Sequence, residues 1–131
     1  MKKILVVIDY QKDFVDGALG FKKAETLEEG IYNKGKENLA KGNKVVFTYD
    51  THFDNYLETK EGKHLPVPHC YLDTDGHELY GRLKEFIDKA GYSLTRSDKR
   101  DIIVHYCVVN KQYDILEINS ILNAFEQPLF Y

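Results

Sequence analysis

A side chain that can transfer protons follows an apolar run near the start of this chain. Asp9 comes directly after ILVVI, residues 4–8. A carboxylate at the end of an apolar strand is desolvated on one side, which raises its pKa and makes it a useful base. Its spacing also fits a turn or helix cap, and that alternative stays open. Gln11 and Phe14 follow closely and offer an amide and an aromatic ring to the same pocket.

A second polar group follows the apolar run at residues 44–50. Asp50 and His52 are one residue apart, so both side chains leave the same face of an extended chain. His69 comes after a proline-containing turn, and further candidate ligands lie between: Glu58, Glu61 and His64. Imidazoles with carboxylates suit a divalent transition metal with open positions, such as zinc, manganese or iron. A surface loop with chance histidines is the alternative.

Cys107 lies in the apolar run IIVHYCVV, residues 102–109, and Cys70 is the other cysteine of the chain. A cysteine within a strand lacks the helix N-terminus that lowers a thiol's pKa. Unreactive buried cysteines are also common in protein cores. Cys107 is a candidate nucleophile because it follows a strand-like run, and these two points make a packing role the alternative.

Apolar runs and helical periodicity alternate along the chain, which predicts an α/β fold with a short parallel sheet and flanking helices. The predicted strands cover residues 4–8, 44–50 and 102–109, and the predicted helices cover 26–41, 77–90 and 114–125. Thr26 and Glu29 have the spacing of a capping box. Residues 51–76 form a long polar loop, and such loops are usually functional. Ligands of open α/β sheets bind beyond the carboxyl ends of the strands, where Asp9 and Asp50 stand.

Length and charge narrow the classes of protein. A chain of 131 residues predicts a single domain, residues 1–131. A net charge of -3 with mixed signs gives no basic stripe, so nucleic acid is not an expected partner. No apolar run approaches the length of about 18 residues that predicts a membrane span. The N-terminus lacks a signal-peptide pattern, and two cysteines make no disulfide framework, so a cytoplasmic location is expected.

Three motifs in this order resemble the isochorismatase-like cysteine hydrolases, in particular the nicotinamidase branch: IDYQKDFVDGALG, TYDTH and EGKHLPVPHC. The resemblance runs from residue 2 to about residue 91. It implies a Rossmann-like, three-layer fold around a parallel sheet. It also implies hydrolysis of a small amide, such as nicotinamide, through an Asp–Lys–Cys mechanism with a covalent acyl intermediate.

The same resemblance implies roles for individual residues. Asp9 takes the position of the base, HYCV resembles the local sequence at the nucleophile Cys107, and Phe14 lines the substrate pocket with Gln11 beside it. The implied metal ligands are Asp50, His52, Glu61 and His69, with Glu58 as the fallback for Glu61. In that branch the metal holds the pyridine nitrogen of the substrate.

Residues 92–131 depart from the family pattern and form a divergent C-terminal segment. The family carries its catalytic lysine before phenylalanine and serine; here Lys99 is the nearest lysine and its surroundings differ. The sequence therefore predicts a shortened or degenerate hydrolase. The alternatives are a non-catalytic module that binds a metal and a small heteroaromatic ligand, and a hydrolase with a replaced C-terminus.

A sheet of three parallel strands leaves two open edges, which proteins normally cover. We therefore expect a homo-oligomer, with exchange of a segment between copies as one arrangement. The apolar stripe of the predicted helix 114–125 could provide the contact.

Overall fold

The computed structural model describes residues 3–88, 92–97 and 103–108. The strands in these residues are β1 (Ile4–Ile8), β2 (Lys44–Thr51), β3 (Tyr92–Ser97) and β4 (Ile103–Val108). The helices are α1 (Lys12–Val15), α2 (Lys22–Glu25), α3 (Glu28–Ala40), α4 (Lys60–His64) and α5 (Lys84–Asp88). Short 3₁₀ turns lie at Tyr56–Glu58, Asp75–His77 and Gly81–Leu83.

The first two strands form the parallel pair that the sequence predicts. β1 pairs with β2 from Ile4 opposite Lys44 to Ile8 opposite Thr48, and α3 provides the crossover between them. β1 is a continuous apolar run, and β2 is buried along almost its whole length, as expected where a sheet is covered on its faces. The α/β fold class is confirmed, and so is the helix predicted over residues 26–41, apart from its first two residues and its last one.

The direction predicted for the strand at 102–109 is wrong. The sheet order is β1-β2-β4-β3, and β4 runs antiparallel to both of its neighbours. Sequence analysis also missed β3. The physical reason is chain length: only residues 98–102 separate β3 from β4, whereas a parallel crossover needs a dozen or more residues.

Packing of α3 and α5 against the sheet builds the described core. Phe47 of β2 is fully buried and lies 5.7 Å from Phe86, measured between ring centroids. The fully buried Val45 and Leu83 belong to the same cluster. Burial of each such side chain contributes on the order of 1.5–3 kcal/mol. Packing against this core determines the position of the ends of β1 and β2, and therefore where the polar residues at those ends lie.

Three local predictions differ from the structure. Over the described residues 77–88 the α-helix is restricted to α5, because Gly81 has a left-handed φ of 60° and the chain before it is largely extended. The capping box does not form, because the hydroxyl of Thr26 donates to the carbonyl of Lys23 at 2.6 Å instead. The segment 51–76 contains α4 and two 3₁₀ turns rather than an unstructured loop.

The predicted helix at 114–125 and Lys99 lie outside the described residues. Among the helices that are described, none has the length and apolar character needed to cross a bilayer.

Candidate metal centre

Four polar side chains converge where β2 ends. Asp50 and His52 come from the end of β2 and the residue after it, Glu61 comes from α4, and His69 comes from the loop that follows. One ligand atom from each lies within 4.8 Å of every other. These are the four ligands that the family resemblance implies, and the fallback Glu58 is not among them.

The distances between these atoms suit a bound cation. His52 Nε2 lies 3.0 Å from Asp50 Oδ2 and 3.1 Å from Glu61 Oε2. His69 Nε2 lies 3.3 Å and 3.9 Å from the same two oxygens. Ligands about 2.1 Å from a tetrahedral ion are separated from each other by about 3.4 Å. The set of two imidazoles and two carboxylates therefore fits a divalent transition metal.

Hydrogen bonds fix the ring of His69 and the backbone of His52. His69 Nδ1 donates a hydrogen bond to the carbonyl of Val67 at 2.7 Å, which leaves Nε2 free to bind a metal. The backbone of His52 is fixed by two bonds to the returning loop: its N–H donates to Cys70 and its carbonyl accepts from Leu72, both at 2.9 Å. These bonds bring the loop that carries His69 alongside the end of β2.

The negative charges around the site act on the protonation of His52. Burial alone would lower the pKa of His52, but the hydrogen bond to Asp50 and the charges of Asp50, Glu61 and Asp9 outweigh burial and raise it. The field that favours an imidazolium here also favours a metal cation.

Tyr56 packs against the two histidines and was missed by sequence analysis. Its fully buried ring lies edge-on to His52 and His69, with centroid distances of 4.6 and 5.1 Å. Its hydroxyl donates to the carbonyl of Leu65 at 2.7 Å. Burial, followed by the nearby charge of Glu61, raises the pKa of Tyr56 to about 12. The sequence offered one signal for Tyr56, which is that it is an aromatic residue in a polar loop.

Gln11 lies beneath the centre rather than in an open pocket. Its side chain is fully buried, and its amide donates to the carbonyls of Asp50 at 3.0 Å and His77 at 2.8 Å. Its carbonyl oxygen accepts the backbone N–H of Asp50 at 2.8 Å. The sequence analysis predicted that Gln11 contacts a substrate. Its placement instead favours a role in positioning Asp50.

The helix α1 places Phe14 and Asp13 against the loop that carries His69. The ring of Phe14 lies 5.4 Å from the imidazole of His69. Asp13 Oδ2 accepts the backbone N–H of Cys70 at 2.8 Å. Cys70 has a φ of 51°, a left-handed conformation that non-glycine residues seldom adopt, and this hydrogen bond helps to hold it.

Asp9 stands at the end of β1 beside the same site. It accepts a hydrogen bond from the hydroxyl of Thr48 at 2.8 Å, a partner that sequence analysis did not identify. Burial is the largest influence on the Asp9 carboxyl and raises its pKa; the bond to Thr48 opposes this, and the charge of Asp50 adds to it. A carboxyl with a raised pKa in a partly buried site can accept a proton, and the role of Asp9 as a base stays a prediction.

The two cysteines have different settings. Cys70 is fully buried, and burial together with the charges of Asp50 and Asp13 raises its pKa, so its thiol stays protonated and unreactive. Cys107 lies in β4, opposite Phe47 of β2. Because β2 separates β4 from β1, the structure does not bring the backbones of Cys107 and Asp9 side by side. A nucleophilic role for Cys107 stays a prediction.

The fold is an α/β sheet in which Asp50, His52, Glu61 and His69, a group that fits a divalent metal, lie at the carboxyl end of β2, one strand of the parallel pair. Among solved structures the chain is similar to the nicotinamidase PncA from Bacillus subtilis, at 37% identity over 68% of this chain, with a TM-score of 0.60. A second structure, described as nicotinamidase/pyrazinamidase PncA from Bacillus subtilis, matches at 36% identity over 68% of this chain, with a TM-score of 0.62.

A pyrazinamidase of Pyrococcus horikoshii in complex with zinc matches at 30% identity over 60% of this chain, with a TM-score of 0.53. The matches cover 49%, 50% and 45% of those chains, so this chain spans about half the length of its solved relatives. No family model and no curated protein matches it. The chain belongs to the isochorismatase-like cysteine hydrolases, in their nicotinamidase branch.

Proposed function

We propose that this chain binds a divalent metal ion and uses it to hold a small heteroaromatic amide of the nicotinamide type. The observation that carries the proposal is the convergence of Asp50, His52, Glu61 and His69 within 4.8 Å. Zinc is the first candidate, because one similar structure is a pyrazinamidase in complex with zinc, and manganese and iron are the others. When bound, the ion supplies a Lewis acid with open positions that can accept a ring nitrogen.

The chain's own residues would orient the ligand. Phe14 packs edge-on against His69 and offers an aromatic face at the rim of the centre. Asp9 lies nearby with its pKa raised, mainly by burial, so it can accept a proton from a nucleophile or hold an amide N–H. Gln11 holds the backbone of Asp50 and keeps that ligand in place.

Turnover is the second candidate function, and the setting of Asp9 favours it. In this form the chain is a shortened cysteine hydrolase. Asp9 takes the proton of Cys107, the thiolate attacks the amide carbon, and Asp9 returns the proton to the nitrogen so that the C–N bond breaks and ammonia leaves. Water, deprotonated by Asp9, then hydrolyses the thioester to the acid, and the proton goes back to the Cys107 thiolate. The position of β4, beyond β2 from Asp9, argues against a direct meeting of these groups. We therefore place binding first and catalysis second.

A replaced C-terminus is the third possibility for residues 92–131, which we treat as the divergent part of one domain. The departure of residues 92–131 from the family pattern motivates it. Reading the coding DNA in its other frames tests it: downstream lysine and cysteine motifs of the family would support replacement, and their absence would exclude a frameshift.

Metal stoichiometry tests the first function. Titration with zinc, manganese and iron should give one ion per chain, and Glu61→Gln should weaken binding by at least about tenfold. The matched control is Glu58→Gln, since Glu58 is an exposed carboxylate three residues away that is not in the group. His52→Ala should weaken binding in the same way, and His64→Ala is its control. Equal affinity in wild type and Glu61→Gln would refute this centre.

Ammonia release from nicotinamide then separates binding from turnover. Loss of release in Cys107→Ala, with metal binding intact, would establish catalysis through that thiol. Nicotinamide that binds the metal-loaded protein without release of ammonia would leave the binding function alone. Failure of nicotinamide to bind the loaded protein would refute the proposed ligand class.

A further inference from the structure

Gly76 is a glycine whose backbone conformation does not require one. It lies in the 3₁₀ turn Asp75–His77, and its φ is outside the left-handed region that Gly42 and Gly81 adopt. An alanine can take the same backbone conformation without strain. The space around Gly76 gives a different reason for a residue without a side chain.

The carboxylate of Asp13 fills the space that a side chain at this position would need. A Cβ on Gly76 would overlap both carboxylate oxygens and the carboxyl carbon of Asp13. Gly17 borders the same group, and a Cβ there would overlap Oδ1. Atoms that overlap in this way cannot all stay in place, so the two glycines leave the room in which the Asp13 side chain lies.

That carboxylate holds a peptide that connects two of the candidate metal ligands. Asp13 Oδ2 accepts the N–H of Cys70 at 2.8 Å, and this N–H belongs to the peptide bond that follows His69. The carbonyl of Cys70 accepts the N–H of His52 at 2.9 Å. Cys70 is thus joined to His69 by a covalent bond and to His52 by a hydrogen bond. A shift of its backbone would change how the two imidazoles face the ion.

The turn is bonded to the residues on either side of this contact, which holds it against Asp13. The carbonyl of His77 accepts from the side-chain amide of Gln11 at 2.8 Å. The carbonyl of Glu78 accepts from the backbone N–H of Lys12, also at 2.8 Å. An added methyl group on the turn would therefore displace the carboxylate of Asp13, which rotates about its side-chain bonds, before it displaced the turn.

We propose that Gly76 is a positioning residue of the metal centre. Because Gly76 has no side chain, Asp13 can hold Cys70 and thereby fix His52 and His69 relative to each other. Gly76 acts through Asp13 and is not one of the four ligands. The inference rests on the proposed function, since it concerns the affinity of the same site for its ion. It makes that affinity depend on a turn that supplies no ligand.

Zinc titration of the full chain tests this role. Gly76→Ala should weaken zinc binding about tenfold, because the partner that orients the loop is lost. The matched control is Gly30→Ala, which should leave the zinc affinity unchanged because a Cβ on Gly30 meets no neighbouring atom within 4 Å. In metal-free protein, hydrogen exchange at the Cys70 amide should be at least about tenfold faster in Gly76→Ala than in Gly30→Ala.

A double substitution separates this route from general damage to the turn. Once Asp13→Ala has removed the carboxylate, a methyl group at position 76 has nothing to displace. The double variant should therefore bind zinc as Asp13→Ala does, within about twofold, whereas independent losses would add to about 100-fold. If Gly76→Ala alone fails to fold, the double variant should fold and match Asp13→Ala. Failure of both to fold would overturn the inference, because the overlap with Asp13 would not be the cause.

The inference requires both the weaker zinc binding and the faster exchange at Cys70. If wild-type protein binds zinc and Gly76→Ala equals Gly30→Ala in either measurement, the inference is overturned and the proposed function stands. Losses that add in the double variant also overturn it. Wild-type protein that binds no zinc would refute the proposed function itself, and the inference with it.

Discussion

Replacement of Gln11 by leucine removes the side chain that ties the candidate metal centre to the rest of the fold. Leucine has a similar volume and keeps the site filled, but it leaves three backbone groups without their partner. They are the N–H and carbonyl of Asp50 and the carbonyl of His77. Gln11 is fully buried, so water does not replace these bonds without rearrangement.

Each buried polar group left without a partner costs about 1–3 kcal/mol. Apolar burial of the leucine offsets part of this loss, so we expect the free energy of unfolding to fall by about 3 kcal/mol. That is a large part of the 5–15 kcal/mol typical of a domain. With a urea dependence of about 2 kcal/mol per molar, the midpoint should shift down by about 1.5 M.

Urea unfolding followed by circular dichroism measures this shift in metal-free protein. The control is Asn33→Leu, which makes a similar amide-to-leucine change at an exposed position of α3. Zinc titration of the folded variant should show an affinity about 10–100-fold lower, because Asp50 loses its backbone anchor. If the midpoint and the zinc affinity of Gln11→Leu both equal those of Asn33→Leu, Gln11 does not position Asp50 and the argument fails.

Two further predictions concern carboxylates beside the centre. Asp13→Ala should weaken zinc binding by about tenfold, because the backbone N–H of Cys70 loses its acceptor and the loop with His69 loosens. Calorimetry checks this against the exposed control Asp16→Ala. Equal zinc affinities of the two variants would contradict it. Asp9→Asn should stabilise the metal-free protein at pH 7, because burial raises the pKa of Asp9 and its ionisation opposes folding. Below the usual pKa of 3.8 the carboxyl is protonated in the folded and the unfolded state, so the gain in stability should appear only as pH rises. Thermal unfolding at pH 3.5 and 7 measures this gain. A gain that does not depend on pH would refute this cause.

The parts of the site that depend on local chain geometry could be predicted from the sequence. Asp50 and His52 face the same side because a strand repeats every two residues. Their place at the end of β2 followed from the apolar run before them. The proline-containing turn already made His69 a candidate ligand, whereas the choice of Glu61 over Glu58 and His64 came from the family resemblance. The convergence of the four residues depends on backbone bonds between His52 and the returning loop, which spacing does not show.

The parts that depend on distant packing could not be predicted. Gln11 looks like a polar residue near a pocket, and only the fold shows that its amide is bonded to β2 and to a 3₁₀ turn. The direction of β4 depends on β3, whose sequence YSLTRS alternates weakly and was not recognised as a strand. Once β3 is present, the short connection requires an antiparallel pair.

The strand order has a direct consequence for the chemistry of the site. Adjacent strands are about 4.8 Å apart, so β4 lies about 10 Å from β1 with β2 between them. Proton transfer from a thiol needs a base within about 3 Å, or one water away. The backbone N–H of Asp9 donates to β2. On the other side of β1 the described sheet has no strand. A group that approaches Asp9 from that side meets no intervening strand of the described sheet, whereas a group on β4 does. The geometry therefore favours reactants that reach Asp9 from the β1 side of the described sheet over a thiol on β4.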